Sequence, residues 1–242
     1  MRAASLAVVI PAFNEAARLP ETLARVRAHL AGLGREHEIV VVDDGSTDGT
    51  AEAARHAGKG AVRVLRHEPN RGKGYAVRRG MLAATGERRL MTDADLSTPI
   101  EELAGLEAEL DRGLDVAIGS RAVAGARVEV HQPLYREAMG RAFNALVQAL
   151  LLPGLHDTQC GFKLFTAAAA EAAFSACRLD GFSFDVEALY VARLRGLRIA
   201  EVPVVWRNDP RSRVGLGGGS AAFADLLRIR RLARRGAYGP ST

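Results

Sequence analysis

The chain has 242 residues, 48% of them hydrophobic and 25% charged, a length that holds one domain or two small ones around a sizeable core. Two cysteines, Cys160 and Cys177, exclude a disulfide framework and favour a reducing compartment, and no apolar run reads as a signal peptide or a membrane span. A net charge of +5 fits anionic partners, but the spread of Lys and Arg, 5% aromatic content and lack of a stacking motif argue against nucleic acid.

In chain order, short apolar runs alternate with amphipathic stretches. Leu6 to Ile10 reads as a buried strand, and Leu19, Leu23, Val26, Leu30 and Leu33 then recur at spacings of three and four, one helical face. Strands are predicted over Glu38 to Val42, Val62 to Arg66, Arg89 to Thr92 and Val116 to Ser120. Helices are predicted over Lys73 to Thr85 and Pro99 to Gly113. This alternation implies right-handed crossovers and a mostly parallel sheet in an α/β domain, with ligands beyond the carboxyl ends of the strands. Three polar clusters fall at those ends: Pro11 to Glu15, Asp43 to Asp48, and Asp93 to Asp95.

The last cluster, Asp93-Ala94-Asp95, closes a strand, and the residues after it suit a helix start. Thr98 is expected as N-cap, Pro99 as first helical residue and Glu101 as the partner of a capping box. Two carboxylates at i and i+2 on such a corner can share a hard cation, Mg²⁺ or Mn²⁺, with phosphate completing its shell. Taken alone, the same pair also suits a turn in which both side chains accept from backbone N–H groups. The first strand runs into Pro-Ala-Phe-Asn-Glu rather than a Gly-rich dinucleotide turn, and Gly58-Lys59-Gly60 lacks the Ser or Thr of a P-loop. Asp93 to Ser97 also matches a short phosphotransferase pattern, but that motif is expected on an earlier strand.

Val9-Ile10-Pro11-Ala12-Phe13-Asn14-Glu15, Val41 to Thr50 and the Asp93–Asp95 pair resemble the family 2 glycosyltransferases with a GT-A fold. Asn70 to Gly74, Gly119-Ser120-Arg121, Asp157 to Phe165, Phe184 to Glu187 and Glu201 to Val204 resemble its dolichyl-phosphate β-glucosyltransferase branch. The resemblance implies one domain over 1–242, with a nucleotide-sugar half at about 5–125 and an acceptor half at about 126–235. It implies transfer of glucose, with inversion, from UDP-glucose to a polyprenyl phosphate. Another donor such as GDP-mannose, a soluble acceptor, and a catalytically silent nucleotide-binding module are the alternatives.

The resemblance also assigns the site. Pro11, Ala12, Glu15, Asp43, Asp44, Lys73, Asp93 and Ala94 would hold the nucleotide sugar, and Asp93 and Asp95 the metal. Arg121, Arg136, Gln159, Lys163 and Arg213 would cradle the acceptor, with Asp95, Asp157, Arg121 and Arg136 in catalytic roles. Where relatives have Ser-Lys after the Trp-containing strand, this chain has Ser212-Arg213, which keeps the charge and changes the fork. Asp185 or Glu187 can reach the donor sugar, while Phe162, Leu164 and Phe165 read as core. Phe223 to Arg235 reads as a basic amphipathic helix suited to an anionic bilayer or, equally, to packing on the core; Leu134 to Leu152 offers a second apolar surface. The expected partners are thus a UDP-sugar, a lipid-linked phosphate and an anionic membrane surface, with no protein partner evident. The expected location is the cytoplasmic face of a membrane.

Overall fold

Strands covered on both faces must be apolar along their whole length, and the two central runs of this chain meet that condition: β1 (Leu6–Ala12) is buried throughout and β2 (His37–Asp44) over its last six residues. The computed structural model describes residues 5–209 and 218–239. After β2 come β3 (Val62–His67), β4 (Arg88–Thr92), β5 (Val116–Ser120), β6 (Arg127–Val130), β7 (Phe162–Thr166), β8 (Ile199–Pro203) and β9 (Val205–Arg207). Seven form the main sheet in the order β3-β2-β1-β4-β7-β5-β8, and β6 pairs with β9 apart from it.

The helices are α1 (Leu19–Gly32), α2 (Thr50–Gly58), α3 (Lys73–Ala83), α4 (Leu103–Asp111), α5 (Leu134–Leu150), α6 (Ala167–Ala176), α7 (Phe184–Leu194) and α8 (Gly218–Arg234). Alternate residues of β1 feed opposite faces of the sheet, as a period of two requires. Leu6, Val8 and Ile10 join a core with Leu23 and Val26 of α1 and Leu103 and Leu106 of α4. Ala7 and Val9 join the other core, with Val77 and Met81 of α3, Phe174 of α6 and Leu189 of α7. This is the expected α/β domain of GT-A type, with a mostly parallel sheet between helices.

One local expectation differs from the structure, the capping box, and two points left open by the sequence are the strand at 162–166 and the packing of the last helix. The segment Phe162 to Thr166 is a strand wedged between β4 and β5 and antiparallel to both. The capping box does not form. Pro99 has ψ 145° and precedes a 3₁₀ turn (Ile100–Glu102), so α4 starts only at Leu103. The Thr98 hydroxyl lies 3.5 Å from the buried Cys160 sulfur instead of turning back onto the helix. On α8 the apolar stripe faces inward: Leu226 and Ile229 are fully buried, and Phe223 packs edge-on to Phe143 of α5 at 5.4 Å. Its arginines form the solvated face. Among the described residues no helix is long and apolar enough to cross a membrane.

Candidate active site

Parallel neighbours bring the carboxyl ends of β2, β1 and β4 side by side: Ala12 pairs with Asp43, and Met91, two residues before Asp93, pairs with Val9. Pro11 and Ala12 are buried at the end of β1. Ala94 is buried, and its carbonyl accepts from Thr22 Oγ1 of α1 at 2.6 Å. The corner turns through Leu96, a non-glycine residue at φ 46°, a conformation that costs energy and is retained where surrounding contacts enforce it.

On this corner Asp95 Oδ1 accepts the Ser97 N–H at 2.9 Å, and the Ser97 side chain also favours its charged form. Burial, and then the neighbouring Asp93 carboxylate, push the Asp95 carboxyl above the usual carboxylate range. Asp93 sits tightly against the loop that leads into β7. Its N–H donates to Gly161 O, and a Cβ at residue 161 would fall 2.0 Å from Asp93 Oδ2. Only glycine leaves that space. Lys73, the first residue of α3, places Nζ 2.6 Å from Asp93 Oδ1. Its ammonium is held above the ordinary lysine range: burial works against the charge, and the fields of Asp93 and Asp185 outweigh it.

The adjacent aspartates of β2 have different fates. Asp44 accepts from His67 Nε2, Asn70 Nδ2 and the N–H groups of Arg71 and Gly72, which anchors the 70–72 turn. Asp43 Oδ1 accepts from Ser46 N–H at 3.0 Å, while its buried Oδ2 has no aligned hydrogen bond, only Arg66 Nε at 3.4 Å. Asp43 thus retains acceptor capacity at the strand ends, whereas Asp44 holds a turn. Glu15 is gripped by a fork from Arg18, with Nη2 to Oε1 at 2.6 Å and Nε to Oε2 at 2.8 Å, and Arg18 also bonds Asp209. Sequence reasoning missed Arg18, although Glu and Arg three apart on the approach to a helix signal such a pair.

On the other side of the corner, Asp157 accepts four hydrogen bonds: from Arg121 N, Nε and Nη2 and from Gln159 N–H. Burial opposes its ionisation, yet the Arg121 fork prevails and holds the Asp157 carboxyl below the usual range. Arg121 lies over the Trp206 ring at 5.1 Å. The Asp157 N–H is in turn fixed by Glu201 Oε1 at 2.9 Å. Gln159 is exposed. Arg136 is half-buried in the first turn of α5 beside Tyr135, with no contact to Arg121 or Asp157 among the described residues. Arg213 lies outside the described residues.

Lys163, expected to touch the acceptor, is a core residue of β7 that is 2% exposed. Its ammonium donates to the Cys160 carbonyl and, at 2.6 Å, to Asp185 Oδ1. Burial pushes the Asp185 carboxyl up despite the pull of Lys163 and Lys73. Glu187 is wholly buried, accepting from the N–H groups of Arg178 and Leu179 and from Tyr238 OH. Both of its oxygens are thereby engaged, and it braces Tyr238 after α8.

The residues fit a divalent ion in one respect and limit it in another. Asp93 and Asp95 supply hard, mutually repelling oxygens, which a cation would relieve. No group of three or more His, Cys, Asp or Glu suited to a metal occurs among the described residues. The ion would therefore draw the remainder of its shell from phosphate and water.

A sequence profile described as Glycosyl transferase family 2 matches residues 7–174. The human dolichyl-phosphate β-glucosyltransferase is 37% identical over 216 residues, covering 83% of this chain and 67% of that protein. Glucosyl-3-phosphoglycerate synthase of M. tuberculosis superposes with a TM-score of 0.70 at 23% identity, over 96% of this chain and 81% of that one. The Mycobacterium tuberculosis synthase solved with Mn²⁺, UDP-glucose and phosphoglyceric acid gives a TM-score of 0.66 at 21% identity, over 93% and 79%. The expected Mg²⁺ or Mn²⁺ agrees with the ion in that complex. The expected acceptor does not: the complex holds a small soluble acid where a polyprenyl phosphate was expected. That finding overturns the reading of a lipid-linked phosphate acceptor and an anionic membrane surface as partners. On α8, Leu226 and Ile229 pack into the core, while Phe223 and Leu227, with Leu134, Tyr135 and Met139 of α5, remain exposed.

Proposed function

The chain belongs to glycosyl transferase family 2, and on that premise we propose that it moves glucose from UDP-glucose to a soluble acceptor bearing a phosphate or carboxylate, of the phosphoglycerate kind. The observation that carries the donor side is the Asp93–Asp95 corner, two carboxylates in mutual repulsion at the end of β4. Asp43, with its unaligned buried oxygen, is suited to a base N–H or a ribose hydroxyl. Glu15, gripped by Arg18, presents a fixed acceptor beside it. Asp93 and Asp95 would hold the metal, which when bound offsets the negative charge that develops on the departing diphosphate. Glucose as the transferred sugar is supported by the branch to which the human relative belongs.

For the acceptor, support comes from the phosphoglyceric acid of the solved neighbour and from the placement of the arginines. Arg121 uses Nε and Nη2 on Asp157, which leaves Nη1 to face an anion, and Arg136 opens α5 in the half of the chain assigned to the acceptor, about 126–235. Such guanidinium groups suit the oxygens of a phosphate or carboxylate. Asp157, held ionised by four donors, is a weak base and acts by fixing Arg121. The test is purified protein with Mn²⁺ and UDP-glucose, offered phosphoglyceric acid and other small phosphorylated hydroxy acids, with product mass followed. Glucosylated acid is expected. Failure to consume UDP-glucose with every soluble acid would overturn the acceptor assignment, and failure to bind UDP with Mn²⁺ would overturn the donor assignment.

A further inference from the structure

Lys73 occupies a position that a metal would contest. Its ammonium lies against the Asp93 carboxylate at 2.6 Å as an ion pair without an aligned hydrogen bond, since Asp93 Oδ1 has no hydrogen-bond partner of good geometry. The other Asp93 oxygen lies against Gly161, in space that a side chain there would fill. The ammonium is only partly accessible, with 26% of the side chain exposed, and its charge is also felt by Asp185 and Asp95. Asp185 in turn pairs with Lys163, which is locked in β7. The nearby guanidinium groups of Arg121 and Arg18, whose fields also reach Asp93 and Asp95, are paired with Asp157 and Glu15, so three ionised carboxylates (Asp93, Asp95, Asp185) are left facing two ammonium groups (Lys73, Lys163), with one negative charge in excess.

A divalent cation added by itself would reverse that balance to one positive charge in a partly buried site. Coulomb repulsion between Lys73 and an ion on Asp93 acts over a few ångströms and carries a substantial cost there. A diphosphate arriving with the ion supplies the missing negative charge and gives the ammonium a new partner. We infer that Lys73 is a resident counter-ion of Asp93 that disfavours bare metal and makes metal binding conditional on a nucleoside diphosphate, to which the ammonium transfers. The inference rests on the proposed donor site, and it adds a sign: the same residue opposes the metal alone and favours the metal with diphosphate. Linkage then makes Lys73 a source of coupling between the two ligands.

The experiment measures free Mn²⁺ by electron paramagnetic resonance while the protein is titrated, with and without UDP, for wild type, Lys73→Met, Lys73→Gln and Lys73→Arg. Neutral substitution is expected to tighten Mn²⁺ binding in the absence of UDP by about tenfold and to weaken UDP binding in the presence of Mn²⁺ by a similar factor, the scale of common coupling energies. Lys73→Arg, which keeps the charge, should leave bare Mn²⁺ binding weak. Lys73→Gln retains a donor for Asp93 and covers the case in which Lys73→Met does not fold. Unchanged or weaker Mn²⁺ binding without UDP in the folded neutral variants overturns the inference and leaves the donor site standing. If wild type binds Mn²⁺ neither with nor without UDP, the donor site falls and the inference with it.

Discussion

The corner that follows β4 and the loop that precedes β7 touch at Gly161 and both carry aspartates, and they differ in how far their oxygens are satisfied. In the loop, Asp157 receives four donors, three of them from Arg121, and its carboxyl is held low. On the corner, Asp95 is bonded by Ser97 alone among the described residues, Asp93 faces an unaligned ammonium, and the Asp95 carboxyl is held high. A saturated carboxylate fixes the chain, and a less satisfied pair in repulsion is what a cation would relieve, as proposed for the donor site. The same contrast separates Asp44 from Asp43 on β2.

The largest effect that can break this comparison is expected at Asp95. Because its folded-state carboxyl titrates above the unfolded value, ionisation disfavours the fold at neutral pH. Asp95→Asn should therefore melt at the same temperature as wild type or higher, while turnover falls by about a thousandfold as a metal oxygen is lost. Calorimetric melting together with UDP-glucose consumption reads both, and an unfolded Asp95→Asn protein would show the corner to be structural.

Breaking the other side should have the opposite signature. Arg121→Ala leaves Asp157 buried without its fork, and a loss of about 3–5 kcal/mol in stability is expected from urea unfolding. The pH dependence follows in sign. Asp157 has a folded-state value below the unfolded value of about 3.9, so its contribution is complete above that value and is lost as pH falls through the folded one. Wild type should converge on Asp157→Asn in stability only below about pH 4.

A smaller effect sharpens the boundary between the two regions, because the loop and the corner touch at Gly161. Gly161→Ala drives a methyl into Asp93 Oδ2. It should weaken Mn²⁺ binding in the presence of UDP by about 10–100-fold, as for residues that orient metal ligands, with a smaller change in melting temperature. Equal Mn²⁺ affinity in that variant would mean that the loop does not hold the corner.

The sequence by itself determined the alternating elements and the three polar strand ends, because periodicity and strand order are local properties of the residues. Val116 to Ser120 matches β5 at both ends, and the Asp93–Asp95 corner lies where the apolar run of β4 stops. Tertiary structure alone decided which carboxylate is satisfied. Three of the four donors that saturate Asp157 come from 36 residues away, and those on Asp44 from 23 to 28 residues away. No local pattern distinguishes Asp43 from Asp44, or shows that Lys163 is enclosed by a strand antiparallel to its neighbours. The packing of α8 had the same origin: its stripe suits a bilayer and a protein core alike, and only the tertiary structure put Leu226 and Ile229 into the core while leaving Leu227 exposed. Hydrogen-bond satisfaction and burial are set by what the rest of the chain brings within about 3 Å, and that is a property of the assembled fold.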